Sequence, residues 1–160
     1  MMHTTKPAKT ITPSPEQRER MLADVITSAY DESTPSHVLD RLAFGAFKAD
    51  GRLQAGIASN PNSSSQTVIE VLNSPRASAV AMASAASHSS DPVVLDYLRE
   101  VAGETDAVRS AFILGNLALN PSLDTEILRE LVASDDNATS RQASAALCLR
   151  TMFARKAVDA

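Results

Sequence analysis

Apolar and polar positions along this chain return in one five-residue pattern, [V/I]-[L/I]-x-x-L. It reads VLDRL at Val38–Leu42, VIEVL at Val68–Leu72, VLDYL at Val94–Leu98 and ILREL at Ile127–Leu131, with spacings of 30, 26 and 33 residues. Within each copy the apolar positions i, i+1 and i+4 fall on one face of a helix, while Asp40, Arg41, Glu70, Asp96, Arg129 and Glu130 point outward. Helix-starting groups precede each copy: Thr34-Pro35, Ser64-Ser65, Asp91-Pro92, and Asp124-Thr125 after Ser122. The pattern predicts four short amphipathic helices, and self-similarity at this period is the mark of a repeat architecture.

A second kind of segment lies between the copies. It is rich in small residues and opens on an arginine: Arg52, Arg76, Arg109 and Arg141. Two of these segments end in Asn-Pro, at Asn60-Pro61 and Asn120-Pro121. Proline removes a backbone donor and biases its predecessor away from helix, so each pair stops a helix and turns the chain. The third segment has Ser87-His88 at the corresponding place. The unit is thus helix–turn–helix, with a tight turn expected where Ser74-Pro75 caps the following helix directly. Ahead of the repeats, Ser14, Pro15 and Gln17 form a capping box, and Met21, Leu22, Val25, Ile26, Ala29 and Tyr30 form an apolar stripe. The expected organisation is a disordered arm over 1–13 and one helical-repeat domain over 14–160. That domain comprises a capping helix at 14–30 and repeats at about 34–60, 64–87, 91–120 and 122–157.

The phrases GIASNPNSSSQTVIEVL and NLALNPSLDTEILRELVASDD, each trailed by an arginine-led helix, resemble the variant leucine-rich repeat and the broader HEAT-like helical repeats. The likeness covers residues 34 to about 150. It implies an all-α fold, a right-handed α-α superhelix with capping helices at both ends. It also implies partner binding without catalysis. Some relatives carry an iron–sulfur cluster on a cysteine-rich segment; this chain has one cysteine, so no cofactor is expected.

Composition narrows the chemistry. With 44% apolar residues but only 4% aromatics and no Trp, the core must come from Ala, Leu, Val, Ile and Met, which suits closely packed helices. A net charge of −4 argues against generic binding to nucleic acid or to anionic membranes. The single Cys148, in an Ala- and Leu-rich stretch, reads as a buried thiol in a reducing cytoplasm. His3, His37 and His88 are isolated, so no metal site is expected. No GxSxG, Walker or GxGxxG motif occurs, and no catalytic residue is assigned.

Charge is unevenly distributed. Residues 90–136 hold ten acids against three arginines, a net of −7, whereas residues 137–160 carry a net of +3. Asp96/Glu100 and Glu126/Glu130 lie at i, i+4 on successive equivalent helices and predict one acidic strip, a docking face for a protein with a basic surface. Arg52, Arg76, Arg109 and Arg141 read as a structural ladder paired with nearby acids. The alternative is a phosphate-binding ladder joined by Arg150 and Arg155, in a nucleic-acid module whose binding weakens steeply with salt. A further alternative is salt-sensitive self-association, the basic C-terminal end of one copy meeting the acidic middle of another. The expected function is a non-enzymatic protein–protein interaction module.

Overall fold

In a computed structural model the backbone is described for residues 13–158, and side chains through Met152. The arm expected over 1–13 lies, but for Pro13, outside the described residues. The described residues form nine helices and no strand. They are α1 (Pro15–Tyr30), α2 (Ser36–Ala43), α3 (Gly51–Ser59), α4 (Ser65–Asn73), α5 (Ala79–His88), α6 (Pro92–Glu104), α7 (Ala107–Leu119), α8 (Thr125–Val132) and α9 (Asn137–Val158). The four copies of the apolar pattern fall on α2, α4, α6 and α8. The small-residue segments fall on α3, α5, α7 and α9.

Capping chemistry places most of the helix starts. Ser14 and Gln17 close the box at α1: the Gln17 N–H donates to Ser14 Oγ at 3.2 Å and the Ser14 N–H to Gln17 Oε1 at 2.8 Å. Ser64, Asp91 and Asp124 cap α4, α6 and α8 as expected. Two expectations are corrected. Pro35 stands at the N-cap of α2 with no side-chain bond, because the Thr34 hydroxyl donates to the Ser28 carbonyl at 2.7 Å and ties the turn back to α1. Ser74-Pro75 does not cap α5. Ser74 ends α4, the chain makes a turn through Arg76 and Ala77, and Ser78 caps α5 by accepting from Ala81 N.

The odd-numbered helices pack in sequence, α1 on α3, α3 on α5, α5 on α7 and α7 on α9. α2, α4 and α6 form a second row beside them, and α8 packs on α7 and α9. Small residues make the first row dense. A side chain at Gly56 would meet Ala29 Cβ at 2.9 Å, so only glycine lets α3 lie this close to α1. The interior divides into two apolar clusters. Ala29, Ala43, Leu53, Ile57 and Val71 form the smaller. The larger runs from Ala58 to Ala143 and includes Leu98, Ile113, Leu117 and Leu128. Along α1, Ala29 is buried and Leu22, Val25 and Ile26 half-buried, whereas Met21 and Tyr30 are exposed.

Polar side chains latch successive layers together. Asn60, at the end of α3, donates to the carbonyls of Ala29 and Asp31 behind α1, each at 2.9 Å, and accepts from Asn62 N. Asn120 repeats this at the end of α7. It donates to Ala86 and Ser89, each at 2.8 Å, and accepts from Ser122 N. In α9 an arginine takes the role: Arg150 donates to the Asn120 and Leu123 carbonyls. At the end of α5, where Asn-Pro is missing, Ser87 and His88 bond only within their own helix. The α3–α5 junction is latched at its other end by Gln54, 2% exposed, which donates to the Lys48 and Arg76 carbonyls and accepts from Ser78 N.

Candidate functional site

The acidic strip and a cleft coincide in part. α4 packs on α6, whereas no Cα of α6 comes within 8 Å of one of α8. Between them, above α7, lies a cleft of about 650 Å³. Its apolar lining comes from Ala102 of α6, Leu114 of α7, and Ile127 and Leu131 of α8. Gly103 lies on its wall, where an added methyl group would meet nothing within 4 Å. Asp96, Glu100 and Glu130 stand around it. Glu126, grouped with them in the sequence, does not line the cleft. It pairs instead with Arg129 at 3.1 Å on the outside of α8.

The strip also contains a cation. Arg99 reaches across the cleft from α6 to Glu130 of α8 at 3.1 Å and holds Asp96 of its own helix at 3.6 Å. It is therefore a strap across the gap between the two helices. Each of these exposed pairs contributes about 0.2–1 kcal/mol. Glu100 has no ion-pair partner among the described residues, so the mouth of the cleft keeps an uncompensated carboxylate. Arg99 was legible as one of the three arginines in the acidic stretch, three residues after Asp96. Its bridge to Glu130 depends on tertiary register and was not.

The arginine ladder is not in register. Arg52 lies two residues after its N-cap Asp50, Arg109 three after Asp106 and Arg141 five after Asp136, while Arg76 precedes its N-cap Ser78 by two. Their partners differ accordingly. Arg52 pairs with Asp50 at 3.1 Å, and Arg141 Nε donates to the Asn137 carbonyl at 3.0 Å. Arg76 and Arg109 have no carboxylate partner among the described residues. Asp106, which precedes Arg109, is engaged instead in capping α7. Arg150 is engaged in the latch on α7, and the side chain of Arg155 lies outside the described residues.

Cys148 is exposed rather than buried. It sits on the outward side of α9, where no other helix among the described residues covers it. His88 is the last residue of α5, exposed, with its Nδ1 near Ser87 Oγ at 2.8 Å. Among the described residues no group of three His, Cys, Asp or Glu side chains could hold a metal ion, and no helix is long and apolar enough to cross a membrane.

The shifted carboxylates lie away from the cleft. Asp31, Asp50 and Asp136 are all held below the ordinary value of 3.8. The chief causes are the Ser33 N–H at Asp31, the Arg52 guanidinium at Asp50 and the Thr139 N–H at Asp136. Each binds its proton more weakly in the folded chain than in the unfolded one. Their contribution is complete above 3.8 and is lost as the pH falls through the lower folded values. The melting temperature, followed by circular dichroism, should hold steady from neutrality to mild acid and fall below pH 4. A loss of stability already complete at pH 5 would contradict these assignments.

Comparison with protein-family models, with curated proteins and with solved structures finds no match to this chain.

Proposed function

We propose that this chain is a helical-repeat interaction module, a right-handed α-α superhelix of the variant leucine-rich or HEAT-like kind. It takes an amphipathic, basic segment of a partner protein into the cleft between α6 and α8. The carrying observation is the cleft itself: two successive outer helices part, leaving an apolar floor with Asp96, Glu100 and Glu130 above it. An apolar side chain of the partner would occupy the floor beside Leu114 and Ile127, and a lysine or arginine would meet Glu100. Displacement of Arg99 by that cation would free Glu130 and Asp96 as further acceptors. The reading is non-catalytic. The carboxylates whose proton affinity is altered serve as helix caps and turn anchors, away from the cleft. A lone thiol suits a reducing compartment such as the cytoplasm.

The test is fluorescence polarisation with labelled helical peptides carrying leucines flanked by lysines, and matched peptides with glutamate in place of lysine. The basic peptide should bind and weaken as salt rises. The double variant Glu100→Lys/Glu130→Lys should weaken it tenfold or more. Glu126→Lys, outside the cleft, should leave it within twofold. Equal binding of the acidic peptide, or equal effects of the cleft and control variants, would sink the reading.

A further inference from the structure

We infer that α9 is a pairing face for a second copy of this chain, joined by a two-fold axis. The first observation is that α9, the last helix of the row among the described residues, is built like an interior helix. α7 and α9 start at the equivalent caps Asp106 and Asp136, a register of 30 residues. That register also aligns Asn120 with Arg150, the residues that latch each helix to the layer behind it. α9 lies on α7 at Ala111, whose carbonyl accepts from Thr139 Oγ1 at 3.5 Å, and at Gly115, whose absent side chain would strike Gln142. The same register carries Ala111, Gly115 and buried Ala118 to Arg141, Ala145 and Cys148 of α9. In α9 all three are exposed. Two of these positions, Ala145 and Cys148, are small, the third is Arg141, and all three are uncovered among the described residues.

Larger apolar side chains extend this face. Leu149 and Met152 are each 54% exposed, and a shallow depression of about 420 Å³ lies between Val132, Ser144, Leu147, Cys148, Thr151 and Met152. From Ser144 to Met152 the outward residues of α9 are uncharged, since Arg150, the single ionised group in that span, is turned back to the Asn120 and Leu123 carbonyls. A terminal helix normally shows water a polar face.

The opposite end of the row explains why the occupant is a second α9. α1 presents exposed Glu16, Glu19, Arg20 and Asp24 outward. A head-to-tail contact would bury these charges against an apolar strip and generate an open filament. An antiparallel α9 pair centres on the uncharged outward residues from Ser144 to Met152, with Arg141 one turn outside them. It also matches charge at its ends. Asp135 and Asp136 lie at the start of the helix, and the sequence places Arg155 and Lys156 in its last turns. The midpoint between Asp136 and Lys156 is position 146, next to exposed Ala145, so a two-fold axis there sets each acidic start beside a basic end. A pair of single helices, each about 33 Å long, makes an interface at the small end of the stable range. The complex should therefore dissociate on dilution, at micromolar concentrations.

Sedimentation velocity tests this over a hundredfold range of protein concentration. The wild type should pass from one chain to two and stop there. Leu149→Glu and Ala145→Glu, both at exposed positions, should remain single chains with unchanged circular dichroism. Ala23→Glu, on the exposed side of α1, should dimerise as the wild type does. A short bismaleimide should trap a dimer through Cys148, the sole cysteine, in the wild type and not in Leu149→Glu. A wild type that stays monomeric throughout, grows beyond two copies, or dimerises despite both glutamate variants would overturn the inference. The cleft peptide should bind monomeric Leu149→Glu as well as wild type, so the two readings fail independently.

Discussion

Replacing Asn120 with alanine should cost about 3 kcal/mol, one of the largest losses available from a single polar side chain in this protein. Asn120 is fully buried, and its side chain satisfies three backbone groups at once. Its amide donates to the carbonyls of Ala86 and Ser89, which close the end of α5, and its oxygen accepts from Ser122 N in the turn to α8. Alanine supplies none of these bonds. A buried carbonyl or N–H left unpaired costs about 1–3 kcal/mol. Asn120→Asp should cost at least as much, since a carboxylate cannot donate to two carbonyls. His88→Ala, at the last residue of α5, whose side chain bonds only within its own helix, should change stability by less than about 0.5 kcal/mol. Urea unfolding read by circular dichroism gives all three values. If Asn120→Ala and His88→Ala have similar midpoints, the latch does not hold the layers together.

The same residues show where sequence reading succeeds and where it stops. The Asn-Pro pairs stand out in the chain, and their role as helix stops follows from proline alone. That the asparagine side chain reaches back some thirty residues to the preceding layer is a tertiary fact. So is the substitution of Arg150 for the third asparagine, because a long side chain reaches the same kind of carbonyl from a different position along its helix. The short helices were legible from apolar positions and their caps, since both are local. The arginine ladder was misleading for the same reason. Alignment by residue type put Arg76, Arg109 and Arg141 together, but the helices start at Ser78, Asp106 and Asp136, and caps set the register.

The site was half legible. Helical spacing placed Asp96 with Glu100 and Glu126 with Glu130, but it could not say that α6 and α8 part company. A gap between helices depends on how much α7 fills from below, and composition does not encode that directly. Glu126 and Glu130 lie one turn apart, yet only Glu130 faces the gap, where Arg99 finds it. Cys148 failed differently. An Ala- and Leu-rich environment signals burial only when another layer covers it, and none of the described helices packs on the outward side of α9.

Leu117→Ala should cost about 3–4 kcal/mol, whereas Leu119→Ala, two residues along the same helix, should cost less than about 1 kcal/mol. Leu117 is 0% exposed within the larger apolar cluster, and Leu119 is 56% exposed. The spread for buried leucines reflects how far the surroundings collapse into the cavity. Collapse is restricted here. α7 is held to the layer before it by Asn120 and to the layer after it by Arg150, so neither neighbouring helix can shift to fill the space. The cost should therefore fall in the middle or upper part of the usual range. It should also be felt unevenly. Val71, Leu53 and Ile57 belong to the smaller cluster near the N-terminus, while Ile113, Leu117 and Leu128 share the larger one. Contacts in a layered chain run mainly between neighbours, so damage propagates through the adjacent layers first. Hydrogen exchange on Leu117→Ala should show amides of α7 and of its neighbours α5, α6 and α9 losing the most protection, with those of α3 keeping more of theirs. Uniform loss across all helices would mean that the two clusters open as one unit, and equal costs at Leu117 and Leu119 would place the core elsewhere.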